Sequence, residues 1–199
     1  ARLYGYDKIP TKNSFNVPYS SLIKDSHINE STIRNSLSNS GFNEHYSNSL
    51  YSKKDVNIIT NKKAIELKNP LSKELGFLRN SMLPGLLRAL LYNINRKINY
   101  VKMYEVGSCQ YLDDSKYNLS KEERYLNIVW TGTKSKHWIY PNFLDIYSIK
   151  GDVDLLLENI GFKNVSFSYE DNVVIVLVDS NEIGRIVSVD KKVLKLYDV

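Results

Sequence analysis

NPLSKELGFLRNSMLPGLLRALLYNINR, residues 69–96, carries the strongest secondary-structure signal in the chain. From Leu83 onward its apolar residues fall at Leu83, Leu86, Leu87, Leu90, Leu91 and Ile94, the spacing of a single helical face, so a helix buried along one side is expected. Asn80 or Ser81 can accept from the first unbonded amides, and Pro84 suits a first turn, where a missing N–H leaves no hydrogen bond unmade. Arg96 and Lys97 stand at the far end, where cations favour the carbonyl pole of the helix dipole. Ahead of the helix, Asn69-Pro70-Leu71-Ser72 reads as a turn, because a residue before proline avoids the helical region.

Outward from this stretch, the bulk numbers set bounds. With 199 residues, 42% of them hydrophobic, the chain can bury one sizeable core or two small ones. No run approaches the roughly 18 apolar residues of a membrane span, so a soluble protein without a membrane partner is expected. The single Cys109 has no partner for an internal disulfide or a thiolate metal site, which fits a reducing cytoplasm. The net charge of +5 is unevenly spread: residues 1–100 hold 15 Lys/Arg against 7 Asp/Glu, and residues 101–199 hold 12 against 15. A basic half of that kind can face RNA or an acidic partner.

The opening string, Ala1 to Pro10, lacks a helix-start signal and reads as the end of a preceding unit. Residues 11–24, polar and holding Pro18, read as an extended linker. Asp25 or Ser26 can cap a helix with apolar points at Ile28, Ile33 and Leu37, closed by Gly41 in the left-handed conformation. Phe42 and residues 43–52 read as a strand, and residues 56–60 and 64–67 as a strand pair. Past the 83–96 helix, residues 100–106 alternate: Val101, Met103 and Glu105 point one way, Lys102, Tyr104 and Val106 the other. Glu105 is the one charge on that strand placed for burial, read as an edge or interface carboxylate paired with a lysine. Residues 112–124 form a charged loop, 125–132 a strand, 133–142 a second loop with Lys134, Lys136, His137 and Trp138, and 143–149 another strand. A helix capped by Asp152 and stopped by Gly161 follows, then a meander over 165–169, 173–179 and 183–189. Three helices and about eight hairpin-linked strands specify an α+β fold, an antiparallel sheet flanked by helices.

Catalytic chemistry is hard to find in these residues. No Walker-type phosphate loop and no Gly-x-Ser-x-Gly elbow occur, and His27, His45 and His137 lie far apart in sequence. What does stand out is a set of strings: Asn69-Pro70-Leu71-Ser72, Leu78 to Leu87 with Asn93, Tyr104-Glu105-Val106-Gly107, Thr131-Gly132, His137-Trp138 and Ile149-Lys150-Gly151-Asp152-Val153. Together with the opening string, these closely resemble the beta chain of bacterial phenylalanine–tRNA ligases.

The resemblance implies a degenerate class II aminoacyl-tRNA synthetase-like core over residues 25–199, with residues 1–24 ending a preceding domain. It implies no catalytic, cofactor or metal residues in this stretch, the family's magnesium-binding acidic residues falling before Ala1 and Asp7 being a single carboxylate. ATP and Mg2+ would be used by the holoenzyme. Its partners would be an alpha chain, in a heterotetramer of two alpha and two beta, and through it tRNA(Phe). The first helix, Gly41-Phe42 and the following strand resemble the first class II motif, an interface element, which nominates Ile33, Leu37, Gly41 and Phe42, with Leu86 and Leu90, as subunit-interface residues. In active class II domains an arginine on the second-motif strand grips the ATP α-phosphate; here that strand matches Gly107 to Tyr111, and Tyr111 supplies no guanidinium. A proline-glycine-arginine loop often present in the family is missing between Phe167 and Ile183. A competing reading is a stand-alone RNA-binding domain that uses the basic first half, with Tyr46 and Tyr51 for base stacking.

Overall fold

The computed structural model describes residues 2–11, 14, 16, 26–58, 60–98, 100–113, 119–132 and 144–199. Its order is α1 (Ser26–Asn39), β1 (Asn43–Glu44), β2 (Leu50–Tyr51), α2 (Lys53–Ile58), β3 (Phe77–Leu78), α3 (Leu83–Ile94), β4 (Val101–Asp113), β5 (Leu119–Thr131), α4 (Ile146–Ile160), β6 (Val165–Glu170), β7 (Val173–Val178), β8 (Asn181–Val187) and α5 (Lys191–Leu196). Strands β1, β4 and β5 make one sheet, β2 and β3 a second, and β6, β7 and β8 a third.

The hairpin β4–β5 is the spine. Its antiparallel register runs unbroken from Val101↔Thr131 to Asp113↔Leu119, and β1 adds to β4 as a parallel strand at Asn43↔Met103. β4 is covered on both faces over most of its length, and its buried charges, Lys102 and Glu105, are each paired. On one face Val101 and Met103 meet Leu86, Leu87 and Leu90 of α3, with Val129 and Tyr197. On the other, Tyr104 and Val106 meet Leu37, Phe42 and Leu156. The alternation expected from residues 101–106 is therefore the observed one. A third core joins Leu157 of α4 to Val174, Val176 and Ile186 of the meander.

The 83–96 helix forms where expected, with Pro84 in its first turn. Its N-cap position is Met82, not Asn80 or Ser81, and carries no side-chain cap bond. Ser81 Oγ accepts from Leu83 N at 3.3 Å, while the Asn80 amide instead donates to Val56 O and Lys62 O, tying the preceding loop together. At the other end Arg96 reaches back to the Tyr92 carbonyl at 3.1 Å. Helix α1 closes as the Gly41 reading requires: Gly41 sits at φ 82°, Phe42 N donates to Leu37 O and Gly41 N to Ser38 O, both at 3.0 Å. Ile28, counted with its apolar face, is instead 64% exposed.

Several expectations are corrected. Residues 43–52 are not one strand: β1 pairs with β4 and β2 with β3, in different sheets. Residues 53–58 are helical and 64–67 hold only a bridge, Glu66↔Phe77. The missed signal is Ser52-Lys53-Lys54-Asp55, a capping box in which Ser52 N donates to Asp55 Oδ2 and Asp55 N to Ser52 Oγ, each at 3.3 Å. The loop expected over 112–124 is largely strand, because alternation continues to Asp113 and resumes at Leu119. The strand expected over 143–149 gives way to α4, which starts at Ile146; Asp145, not Asp152, caps it by accepting from Ser148 N at 2.7 Å. Gly161 ends it at φ 94° and the meander follows. Short α5 was not expected at all; Asp190 caps it by accepting from Lys192 N. The loop residues 133–142, Phe143 and the linker over 17–25 lie outside the described residues.

Candidate functional site

One face of the β4–β5 hairpin grades from apolar to charged along its length. Glu105 follows Met103 on that face and is fully buried, its side chain 1% exposed. It is not at an edge and its partner is not a lysine: Arg79, in the connection between β3 and α3, reaches Glu105 Oε1 with Nη1 at 2.5 Å. The pair is fully enclosed by hydrogen bonds. Arg79 Nε donates to Ser108 O at 2.8 Å and Nη1 to Ser47 Oγ at 3.1 Å; Ser47 Oγ donates to Glu105 Oε2 at 2.7 Å and its backbone N to Oε1 at 3.3 Å. With its proton committed to Glu105, Ser47 Oγ is left as acceptor for Tyr51, whose hydroxyl lies 3.3 Å away and accepts from Gly85 N at 3.1 Å. Burial raises the Tyr51 pKa above its ordinary value.

Two glycines make room for this packing. A Cβ on Gly107 would lie 2.3 Å from Arg79 Nη2 and 3.0 Å from Met82 Sδ, and one on Gly85 would lie 2.5 Å from Ser47. The first leaves space for the guanidinium, the second for α3 to approach the Ser47 loop. The string Leu78 to Leu87 and the string Tyr104 to Gly107 are thus two sides of one packed unit.

Further along the same face stands a second, half-open cluster. Cross-strand register sets Tyr111 beside Lys121, Cys109 beside Glu123 and Gly107 beside Tyr125. Lys62 spans them: its ammonium is 3.1 Å from Glu123 Oε2, bonds the Tyr125 hydroxyl, and lies 4.3 Å above the Tyr111 ring. Lys121 holds the other Glu123 oxygen at 2.6 Å. The hydrogen bond from Lys121, then that from Tyr125, holds Glu123 far below the usual carboxylate range. Burial works against the charge on Lys62, but its bonds to Tyr125 and Glu123 prevail and hold it above the usual lysine range. Chemically this is two ammonium groups around one carboxylate, an arrangement that keeps one positive charge, with Tyr111 buried beneath. Tyr111 ends the stretch Gly107 to Tyr111, in which the class II resemblance implied a phosphate-gripping arginine. Among the described residues, no three His, Cys, Asp or Glu side chains converge as metal ligands.

A third cluster closes the hairpin's opposite face. Lys102, 8% exposed, lies 3.7 Å above the Trp130 ring and 4.7 Å above Phe42, and pairs with Asp152 at 3.2 Å. Asp152, expected as a helix cap, is thereby an ion-pair partner within α4. Leu37, Phe42, Leu86 and Leu90 are all buried in the chain's own cores, and Ile33 packs against the second of them; Gly41 is exposed. Tyr51, named for base stacking, is 1% exposed and closed to bases, whereas Tyr46 is 87% exposed. Cys109 is a free, buried thiol whose pKa burial pushes up to about 11. Lys62, Glu123 and Arg79 were not singled out from sequence. Glu123 becomes visible once residues 119–125 are read as a strand, where Lys121, Glu123 and Tyr125 share one face; Lys62 and Arg79 lie in connections without periodicity.

The comparisons with known proteins bear on this geometry. The family model of the phenylalanyl tRNA synthetase beta chain CLM domain matches residues 17–199. A phenylalanine–tRNA ligase beta subunit of Listeria monocytogenes serotype 4b (strain F2365) is 34% identical over 171 residues, which is 82% of this chain and 21% of that protein. That of Haemophilus influenzae (strain 86-028NP) is 33% identical over 165 residues, 79% of this chain and 20% of the relative. The chain thus spans about a fifth of the length of the curated relatives it matches. Among solved structures, the pyrrolysyl-tRNA synthetase of Desulfitobacterium hafniense superposes with TM-score 0.69 at 14% identity, over 87% of this chain and 62% of that one. Likeness at that identity speaks for the fold, a class II synthetase-like α+β domain.

Proposed function

The chain belongs to the phenylalanyl-tRNA synthetase beta chain family, in the CLM domain matched over residues 17–199, and on that premise we propose that it is a non-catalytic, class II-like module of the beta subunit of a phenylalanine–tRNA ligase. In this reading it supports an alpha subunit that attaches phenylalanine to tRNA(Phe) with ATP and Mg2+, in a cytoplasmic heterotetramer of two alpha and two beta chains. Residues 25–199 are the module, and residues 1–24 end a preceding domain.

The observation that carries the non-catalytic part is Tyr111. Stabilising a phosphate that gains charge in the transition state calls for a preorganised cation. At the strand position concerned stands a neutral phenol, buried under Lys62, whose own charge is already shared with Glu123 and Tyr125. Lys62, held between Glu123, Tyr125 and the Tyr111 ring, is therefore a poor candidate for gripping a nucleotide.

The proposed contact with the alpha chain runs over the α1–β1 unit. Leu37 and Phe42 are buried within that unit, while Ile28 near the start of α1, Gly41 after its end and Tyr46 after β1 are exposed. Light scattering on a chromatographed mixture of the complete beta chain with the alpha chain from the same source tests this. Co-elution as a defined complex is expected, weakened by Ile28→Glu and Tyr46→Glu; separate elution of the unmodified chains overturns the partnership. Calorimetry on the module alone should register no ATP binding.

A further inference from the structure

The charge asymmetry of the sequence is redistributed by the fold. Four cations of the first half are spent internally: Arg34, Lys62, Arg79 and Arg88 each pair with a carboxylate. Lysines of the acidic second half, in contrast, are folded back onto the first. Tyr197 buries against α3 and gives its hydroxyl to Asp55 of α2 at 2.7 Å, and Lys54 Nζ donates to Leu196 O at 3.2 Å. These contacts bring α5 beside the start of α2. Val193 and Leu194 face the core, so Lys191, Lys192 and Lys195 are left on the exposed side of α5, next to Lys53 and Lys54. Along the outer edge of α3, Arg88, Tyr92 and Arg96 follow one another a turn apart, the Arg96 guanidinium lying 3.4 Å over the Tyr92 ring.

We propose that this α2–α3–α5 face binds the phosphate backbone of a structured RNA, a surface assembled from both halves of the chain. The proposal rests on the ligase reading above for the kind of RNA. Lys53, Lys191, Lys192 and Lys195 form no ion pair among the described residues, and the face's buried carboxylate, Asp55, is taken by Ser52, Arg88 and Tyr197. Exposed ammonium groups on several elements, with an aromatic ring carrying a guanidinium, suit a chain of phosphates and impose no sequence preference.

The test uses the complete ligase and a transcript of tRNA(Phe), with binding followed by anisotropy across about 0.05–0.3 M salt. The triple variant Lys53→Gln, Lys191→Gln, Lys195→Gln removes three exposed charges; an unchanged melting temperature certifies its fold. The expected result is a slope of log affinity against log salt smaller by roughly 2 to 3, with the loss of affinity largest at low salt. Unchanged slope and affinity overturn the proposal, as does retained RNA binding with lost binding of a polyglutamate peptide, which assigns the face to an acidic protein. Aminoacylation by the unmodified enzyme is measured alongside: its absence sinks the ligase reading, whereas a normal rate with an unaltered salt slope sinks only this face.

Discussion

Two cation–carboxylate contacts sit on the same face of the β4–β5 hairpin, and water separates their roles. At Arg79–Glu105 the side chains are 7% and 1% exposed; at Lys62–Glu123 they are 39% and 30% exposed. In the first, every available oxygen of Glu105 is met by Arg79 or Ser47, because a carboxylate removed from water demands partners for its charge. In the second, solvent screens the pair, and the partners can change without leaving a charge stranded. The buried pair joins the 69–96 stretch to the central strand; the open pair stands further along the same face, half in water.

The sharpest way to break this contrast is Glu105→Ala. Leaving Arg79 charged and unpartnered in the core should cost about 3–5 kcal/mol in urea unfolding, and replacing both residues by Met should recover much of it. A loss under about 1 kcal/mol would mean that water reaches the pair after all. Next in size is Gly107→Ala, whose methyl group would lie 2.3 Å from Arg79 Nη2, where overpacking should cost about 1–3 kcal/mol in the same measurement.

Asp55 is an intermediate case, its side chain 8% exposed and that of its partner Arg88 46%. Burial raises its pKa, but hydrogen bonds from Ser52, Tyr197 and Arg88 outweigh this and leave it below the ordinary aspartate value. A depressed folded pKa gives stability that is complete above the unfolded value, about 3.9, and fades as pH falls through the folded one. Asp55→Asn should therefore lower stability at neutral pH by about 1–3 kcal/mol and lose that arm of the acid transition. Melting curves between pH 7 and pH 2 check both points, and an unaltered acid arm would deny Asp55 the role. Smallest of all is Lys62→Met. A half-open pair should be worth no more than about 1 kcal/mol, so thermal unfolding should barely move.

The sequence was most legible where the apolar spacing was long and unambiguous. The face Leu83 to Ile94, the alternation over 101–106, the Gly41 and Gly161 stops and the closing meander all appear as read. It misled where short stretches admit two periods. Val56 to Ile58 and Ile146 to Ile149 are rich in β-branched residues, yet Ser52–Asp55 and Asp145–Ser148 caps start helices there. Of the candidate interface set, the apolar members Leu37, Phe42, Leu86 and Leu90 face inward, because a residue type that suits an interface suits a core equally well and spacing alone does not say which.

By itself, then, the sequence determined the buried face of the 83–94 helix, the alternation of residues 101–106 and the family strings that mark the domain, all of them local patterns of spacing and identity. Only the tertiary structure decided which charges are spent and which remain. Arg79 meets Glu105 across 26 positions, Lys62 reaches Tyr125 across 63, and Tyr197 reaches Asp55 across 142. Contacts between residues so far apart leave no periodicity to read, since they depend on how whole elements pack, and packing follows from the sum of all the buried surfaces.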